Sequence, residues 1–193
     1  MSTKTLLILG AGGHGKAVAE AALLSEDWDR VVFADDRWPA LQQCFGCEVV
    51  SDVASISAIR SSVAGAIAAV GNNIRREMWC TMIEKADIPL VTIIHPKACV
   101  SGSASIGSGC AIMVGAIVGT DASLGRAAIV NAGAIVDHDA VLADFAHLGV
   151  GVKLAGGVTV GQRAWLQAGT SAGYGVSVPA DTETEPGTAL VAK

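Results

Sequence analysis

The chain is poor in charge, with Asp, Glu, Lys and Arg making up only 16% of its 193 residues. Nowhere do Lys and Arg cluster, and the net charge is -5. A nucleic-acid surface needs grouped cations to neutralise phosphates, so that class of partner is excluded. Cysteine is sparse and badly placed for cross-links: Cys44, Cys47, Cys80, Cys99 and Cys110 form an odd set without disulfide-framework spacing. Cys44 and Cys47 make a C-x-x-C, but no second pair completes a zinc site, and no metal is expected. Membrane signals are also missing. The opening MSTKTLLILGAGG has too short an apolar run for a signal peptide. Ala98 to Thr120 is uncharged and long enough to span a bilayer, yet Ser and Gly recur through it and it continues into charged repeats. The expectation is a cytoplasmic protein without membrane insertion.

Aliphatic residues are abundant, and hydrophobic ones reach 51%. For a chain without a membrane span, this implies surface buried between subunits, hence an oligomer. The aliphatics are also periodic. Every sixth residue from Val100 to Leu166 is Val, Leu or Ile, and four positions after each stands a small or β-branched residue, from Ala104 to Thr170. A period of six fits neither a helix nor a flat strand. It predicts a parallel β-helix, whose large aliphatics stack up the inside while small residues fit the corners. The hexads decay after Val178 into Asp181 to Pro186.

The first half alternates strand and helix. Strands are expected at Thr5 to Leu9, Val31 to Ala34, Ala66 to Val70 and Leu90 to Ile94, and helices at Lys16 to Leu24, Asp52 to Arg60 and Asn73 to Asp87. This order implies a parallel sheet with ligands at the carboxyl ends of its strands. The expected division is 1–95, a Rossmann-like α/β domain, and 96–193, the β-helix, with His95 and Pro96 at the turn. Between the first strand and helix stands Gly10-Ala11-Gly12-Gly13-His14-Gly15, a G-x-G-x-x-G turn whose backbone N–H groups suit a pyrophosphate. By itself it fits a nicotinamide dinucleotide or a nucleotide sugar. A domain of roughly 95 residues supplies at most half a dinucleotide site.

Three motifs carry a resemblance that runs from about Thr5 to Val178. They are the glycine turn; Phe33-Ala34-Asp35-Asp36 with Ala68-Ala69-Val70-Gly71-Asn72-Asn73; and Asn131-Ala132-Gly133-Ala134-Ile135-Val136-Asp137-His138-Asp139. Through them the chain resembles the hexapeptide-repeat nucleotide-sugar acetyltransferases of the bacillosamine, sialic-acid and perosamine type. The resemblance implies a left-handed β-helix, a homotrimer, and acetyl-CoA as co-substrate with no metal. It places a nucleotide sugar, with UDP as the nucleotide, against Gly12, Gly13, His14, Asp35, Asp36 and Gly71. It makes His138 the general base and Asp139 its orienting acid, where members usually carry Glu. It sets His147, Ala168 and Gly187 against coenzyme A. Members usually end in a Gly-x-Pro-Ala tail over the pantetheine, and its absence here implies a shortened chain or a differently finished pocket.

The implied reaction is acetyl transfer to the 4-amino group of an amino-deoxy sugar by direct attack, since no Ser or Cys adjoins His138 in sequence. O-acetylation of a sugar such as a sialic acid, and a non-catalytic trimeric scaffold that binds nucleotide sugars, remain open alternatives. A three-histidine zinc site on the same solenoid is not supported by the histidine spacing.

Overall fold

The computed structural model describes residues 3–192, which divide between Pro96 and Lys97 into two compact units. In the first unit, β1 (Thr5–Leu9) is wholly buried and lies parallel to β2 (Arg30–Ala34). A hairpin follows, β3 (Gln43–Cys44) and β4 (Cys47–Ser51), and then β5 (Gly65–Ala68), giving the sheet order β3-β4-β2-β1-β5. Chain direction from β1 switches sides between β2 and β5, which opens a crevice at the carboxyl end of β1. Two helices lead out of that edge, α1 (Gly13–Leu24) and α2 (Asn73–Lys85). The side chain of Asn72 caps α2 by accepting the Arg75 N–H at 2.9 Å.

Several local expectations need correction. The stretch from Asp52 to Arg60 is not an α-helix. Asp52 Oδ1 accepts the Ser55 N–H at 2.7 Å, as a helix cap would, but the turn leads into a 3-10 helix over Ile56–Ser62. The C-x-x-C is the tip of the β3-β4 hairpin, where Phe45 and Gly46 both take positive φ and Cys44 pairs with Cys47. Helix α1 begins inside the glycine motif, at Gly13, and α2 stops at Lys85, with Asp87 in the left-handed region. Leu90 does pair with Ala66, but the regular strand is shorter, Ile93–Ile94.

The second unit is a three-sided parallel β-helix built from strands of two residues. Each strand pairs in parallel with the one 18 positions on, as Ile117 with Ile135 and Ile135 with Lys153. Ile112, Val118, Leu124, Val130, Val136, Leu142, Leu148, Leu154, Val160 and Leu166 are buried in one stack, with Ala116, Ala122, Ala128, Ala134, Ala140, Ala146 and Ala164 beside them. The solenoid does not end at Val178. Glu183 bridges Trp165, Ala189–Leu190 pairs with Ser171–Ala172, and buried Thr184 takes an aliphatic's place by bonding Thr170 at 2.9 Å. The hexad count therefore continues through a polar layer that an aliphatic pattern misses.

Turning a corner every six residues sets a second periodicity. At every sixth position from 109 to 187 the residue has positive φ, whether glycine, as at Gly115 and Gly151, or Asp121, Ala127, Asp139, Phe145, Arg163 and Asp181. Left-handed backbone costs a non-glycine residue about 1–2 kcal/mol, with Asp among the better tolerated. Exposed Asp121, at φ 54°, isolates this cost. Asp121→Gly is expected to stabilise the protein by about 0.5–1 kcal/mol, and Asp121→Val to destabilise it. Urea unfolding measures both, and a destabilised glycine variant would contradict the assignment.

Candidate active site

The four glycines of the first motif have two different duties. Gly10 takes φ 102°, and a Cβ on Gly15 would stand 1.9 Å from the Gly10 carbonyl oxygen, so both are required by packing of helix against turn. At Gly12 and Gly13 a Cβ would meet nothing within 4 Å. Those two leave bare backbone at the start of α1, where N–H groups favour an anion.

Gly12, Asp35 and Asp36 line a cavity of about 420 Å³ at the carboxyl edge of the sheet, together with Gly10, Arg37, Ala69, Val70, Arg75 and Trp79. Arg37, Arg75 and Trp79 were not read from the sequence, although Arg37 directly follows the two aspartates. Gly13, His14 and Gly71 are not among the lining residues. The Gly71 carbonyl accepts from Arg76 Nη1 at 3.2 Å, as does that of Val70 at 3.1 Å. Buried Arg76 thereby holds the turn after β5. His14 Nε2 is buried and has no hydrogen-bond partner among the described residues. Burial, with the Arg76 charge second, pushes its pKa down to about 4 and keeps the ring neutral.

Asp35 is largely occupied. Its Oδ2 accepts the Ala11 N–H at 2.7 Å, and its Oδ1 accepts Arg37 Nε at 2.7 Å and Arg37 N–H at 3.1 Å. Arg37 Nη2 in turn donates to Ala11 O at 3.0 Å. The carboxylate and guanidinium clamp the glycine turn, and Asp36 is the other acid lining the cavity. The bond from Arg37 chiefly holds the Asp35 pKa down at about 2.

In the solenoid, His138 and Asp139 occupy one corner turn. Ala140 N–H closes it on Asp137 O at 3.3 Å, and Asp139, at φ 56°, donates its N–H to Thr120 O of the preceding coil at 3.0 Å. His138 N–H donates to Asp137 Oδ1 at 2.8 Å, and its carbonyl accepts Gly157 N–H of the following coil at 3.0 Å. The backbone of this residue is thus pinned at both its N–H and its carbonyl. Its imidazole Nδ1 stands 2.7 Å from Asp139 Oδ2. With Nδ1–H donating to that carboxylate, the neutral ring keeps its lone pair on Nε2. The Asp139 bond first, and the Asp137 charge second, raise the His138 pKa above its ordinary value.

His147 lies in the strand His147–Leu148, buried, with its ring stacked on Trp165 at 5.1 Å between centroids and 5° between planes. The Ala168 carbonyl accepts the Gly187 N–H at 2.9 Å, which joins two expected site positions by backbone. Gly187 ends a column spaced at one coil, Gly115, Gly133, Gly151, Gly169 and Gly187, all at positive φ. A Cβ at Gly133, Gly151 or Gly187 would meet nothing within 4 Å, so one corner line of the solenoid is bare backbone. Among the described residues, no group of three His, Cys, Asp or Glu is placed to hold a metal ion, and no helix is long and apolar enough to cross a membrane.

A sequence family described as the PglD N-terminal domain matches residues 5–83. UDP-N-acetylbacillosamine N-acetyltransferase of Bacillus subtilis (strain 168) is 31% identical over 113 residues, a match that spans 57% of this chain and 51% of that protein. A solved structure of a histidine-to-alanine variant of GDP-perosamine N-acetyltransferase from Caulobacter crescentus, in complex with CoA and GDP-perosamine, is 34% identical with a TM-score of 0.88. It covers 97% of this chain and 90% of that one. The acetyltransferase domain of PglB from Neisseria gonorrhoeae FA1090, in complex with acetyl coenzyme A, is 30% identical with a TM-score of 0.81, covering 98% and 97%.

The Asp35 clamp has a stability consequence with a definite sign. Because its pKa is 3.8 ordinarily and about 2 when folded, the stabilisation is complete above pH 4 and is lost as pH falls towards 2. Asp35→Asn is expected to cost about 2 kcal/mol at pH 7, with the gap to wild type narrowing below pH 4. Chemical denaturation across that range tests it, and a gap independent of pH would contradict the clamp.

Proposed function

Because the chain belongs to the hexapeptide-repeat nucleotide-sugar acetyltransferases, whose solenoid is a left-handed parallel β-helix, we propose that it transfers the acetyl group of acetyl-CoA to the amine of a nucleotide-linked amino-deoxy sugar. The observation that carries the reading is the 2.7 Å pairing of His138 Nδ1 with Asp139, which leaves Nε2 as the base. The acceptor is the 4-amino group. Its nitrogen attacks the thioester carbonyl carbon while Nε2 takes the N–H proton. The tetrahedral intermediate then collapses, breaking the C–S bond and expelling CoA thiolate, which is reprotonated. Asp139 holds the ring in the required tautomer and stabilises the imidazolium as it forms.

The α/β unit supports the nucleotide end of this reading. Gly12 and Gly13 offer open backbone N–H groups to a diphosphate, Arg37 and Arg75 bring positive charge to the cavity, and Asp36 offers a hydrogen-bond acceptor to base or ribose. The nucleotide is uridine or guanosine diphosphate, the two carried by the named substrates of the relatives above. The bare glycine column, with His147 and Ala168, fits a pantetheine arm laid against backbone. The apolar, charge-poor composition supports a homotrimer, and light scattering that found a fully active monomer would remove the trimer.

One assay, free thiol release with acetyl-CoA and a panel of UDP- and GDP-amino sugars, tests the roles together. His138→Ala should lower kcat by about 10²–10⁴ with both KM values little changed, and Asp139→Asn by less. The rate should rise with pH through a midpoint above the ordinary histidine value of 6.5, because the base must be neutral and its pKa is raised; Asp139→Asn should lower that midpoint. High pH should partly rescue His138→Ala with an amine acceptor, which sheds its proton to solvent, and not with a hydroxyl. Gly13→Val, which has room to fold, should raise the nucleotide-sugar KM alone. Activity of His138→Ala within a few-fold of wild type would remove His138 from the mechanism.

A further inference from the structure

Eighteen residues beyond His138, at the same place in the next coil, stands Gly156, and one coil further stands Tyr174. A Cβ on Gly156 would lie 2.4 Å from both Cε1 and Nε2 of His138 and 3.1 Å from Cδ2. The imidazole therefore occupies the volume that a side chain at 156 would need. Other tightly packed glycines of the solenoid have a different reason. A Cβ at Gly119, Gly149 or Gly161 would strike the backbone of the following coil, which the parallel ladder holds in place, so the fold itself demands glycine there. At Gly156 the three nearest obstacles are all atoms of one ring. Nor does backbone geometry ask for glycine, since Gly156 is not among the positive-φ residues, whereas Gly157 beside it is. No backbone atom is among the three nearest to that Cβ, and it is the imidazole in its observed position that excludes a methyl. On the far side the Tyr174 ring, exposed, stands 6.4 Å from the imidazole by centroids and tilted 46° to it. The charged groups that face the ring are Asp137 and Asp139.

We propose that Gly156 is a positioning residue for His138, its missing side chain forming the slot in which the imidazole can reach Asp139 through Nδ1 while Nε2 is left for the acceptor. The inference rests on His138 acting as the base. A methyl at 156 forces the ring out of the slot by rotation about the His138 side-chain bonds, which is cheaper than moving the coil. Rotation lengthens the bond to Asp139 and carries Nε2 away from the acceptor, while the surfaces that bind the two substrates stay as they are. Misplacing a reacting group by an ångström is enough to cost a large part of its contribution.

Gly156→Ala is expected to lower kcat about 10- to 100-fold, with both KM values and the thermal midpoint close to wild type. In the His138→Ala background the same substitution should cost nothing further, because no ring remains to be displaced. The His138 imidazole, assigned by its loss in His138→Ala and followed by NMR through a pH titration, should titrate lower in Gly156→Ala, as its bond to Asp139 is lost. Equal losses of kcat in both backgrounds, an unfolded Gly156→Ala, or an unchanged titration would each overturn the proposal. The titration needs no turnover. A wild-type protein that transfers no acetyl group, yet whose His138 midpoint moves on Gly156→Ala, would refute the proposed function and leave the slot standing.

Discussion

The structure of the second unit depends on a backbone that turns left-handed once every six residues. Each corner ends a two-residue strand and begins the next, so the stack of aliphatics, the parallel ladder and the 18-residue coil all follow from it. Glycine takes many of these corners at little steric cost, and the others are occupied by residues that bear the strain. Asp139 is one of the strained ones. Its backbone N–H is paid for by Thr120 O, and its unusual φ brings the carboxylate back beside the preceding residue's ring. The element that shapes the solenoid is thus also the element that holds the His138 ring.

Two aspartates do related work at opposite ends of the chain. Asp35 is buried and saturated, and it uses its charge to clamp the glycine turn through Ala11 and Arg37. Asp139 is exposed and makes one side-chain bond to an imidazole, raising its basicity. The partner separates the roles, a guanidinium for Asp35 and an imidazole for Asp139. In the first, the folded state is stabilised through the depressed pKa of the acid; in the second, the acid changes what its neighbour can do to a proton.

Much of this was legible in the sequence. The period of six, read from Val100 to Leu166, describes a stack that is buried from Ile112 onward, with Val100 and Ile106 partly buried at its start, and the strand-turn-helix around Gly10 to Gly15 is present. What escaped was chemistry without an aliphatic signature. Thr170 and Thr184 continue the interior by bonding each other, which hydrophobic periodicity does not register. The hairpin at Cys44 and Cys47 turns on a Phe45 at positive φ, a conformation that side-chain type does not announce. The segment expected as a helix from Asp52 does keep a capping-type bond from the Ser55 N–H to Asp52, but it winds as a 3-10 helix over Ile56–Ser62, a difference in pitch that apolar spacing does not report.

By itself the sequence determined the classes: a glycine turn after a strand, a six-residue solenoid, and a histidine flanked by two acids. Those are local or periodic properties, set by neighbours along the chain. Which glycines leave room for a ligand and which are packing, whether Asp35 or Asp36 remains available, and which residue lies across from the His138 ring were decided only by tertiary structure. Gly12 and Gly156 carry the same symbol as Gly15 and Gly119, yet open space surrounds the first and an imidazole abuts the second, while backbone presses on the other two. The physical reason is that such distinctions depend on what stands on the far side of a residue, and in a coiled chain that neighbour comes from 18 positions away or from another strand.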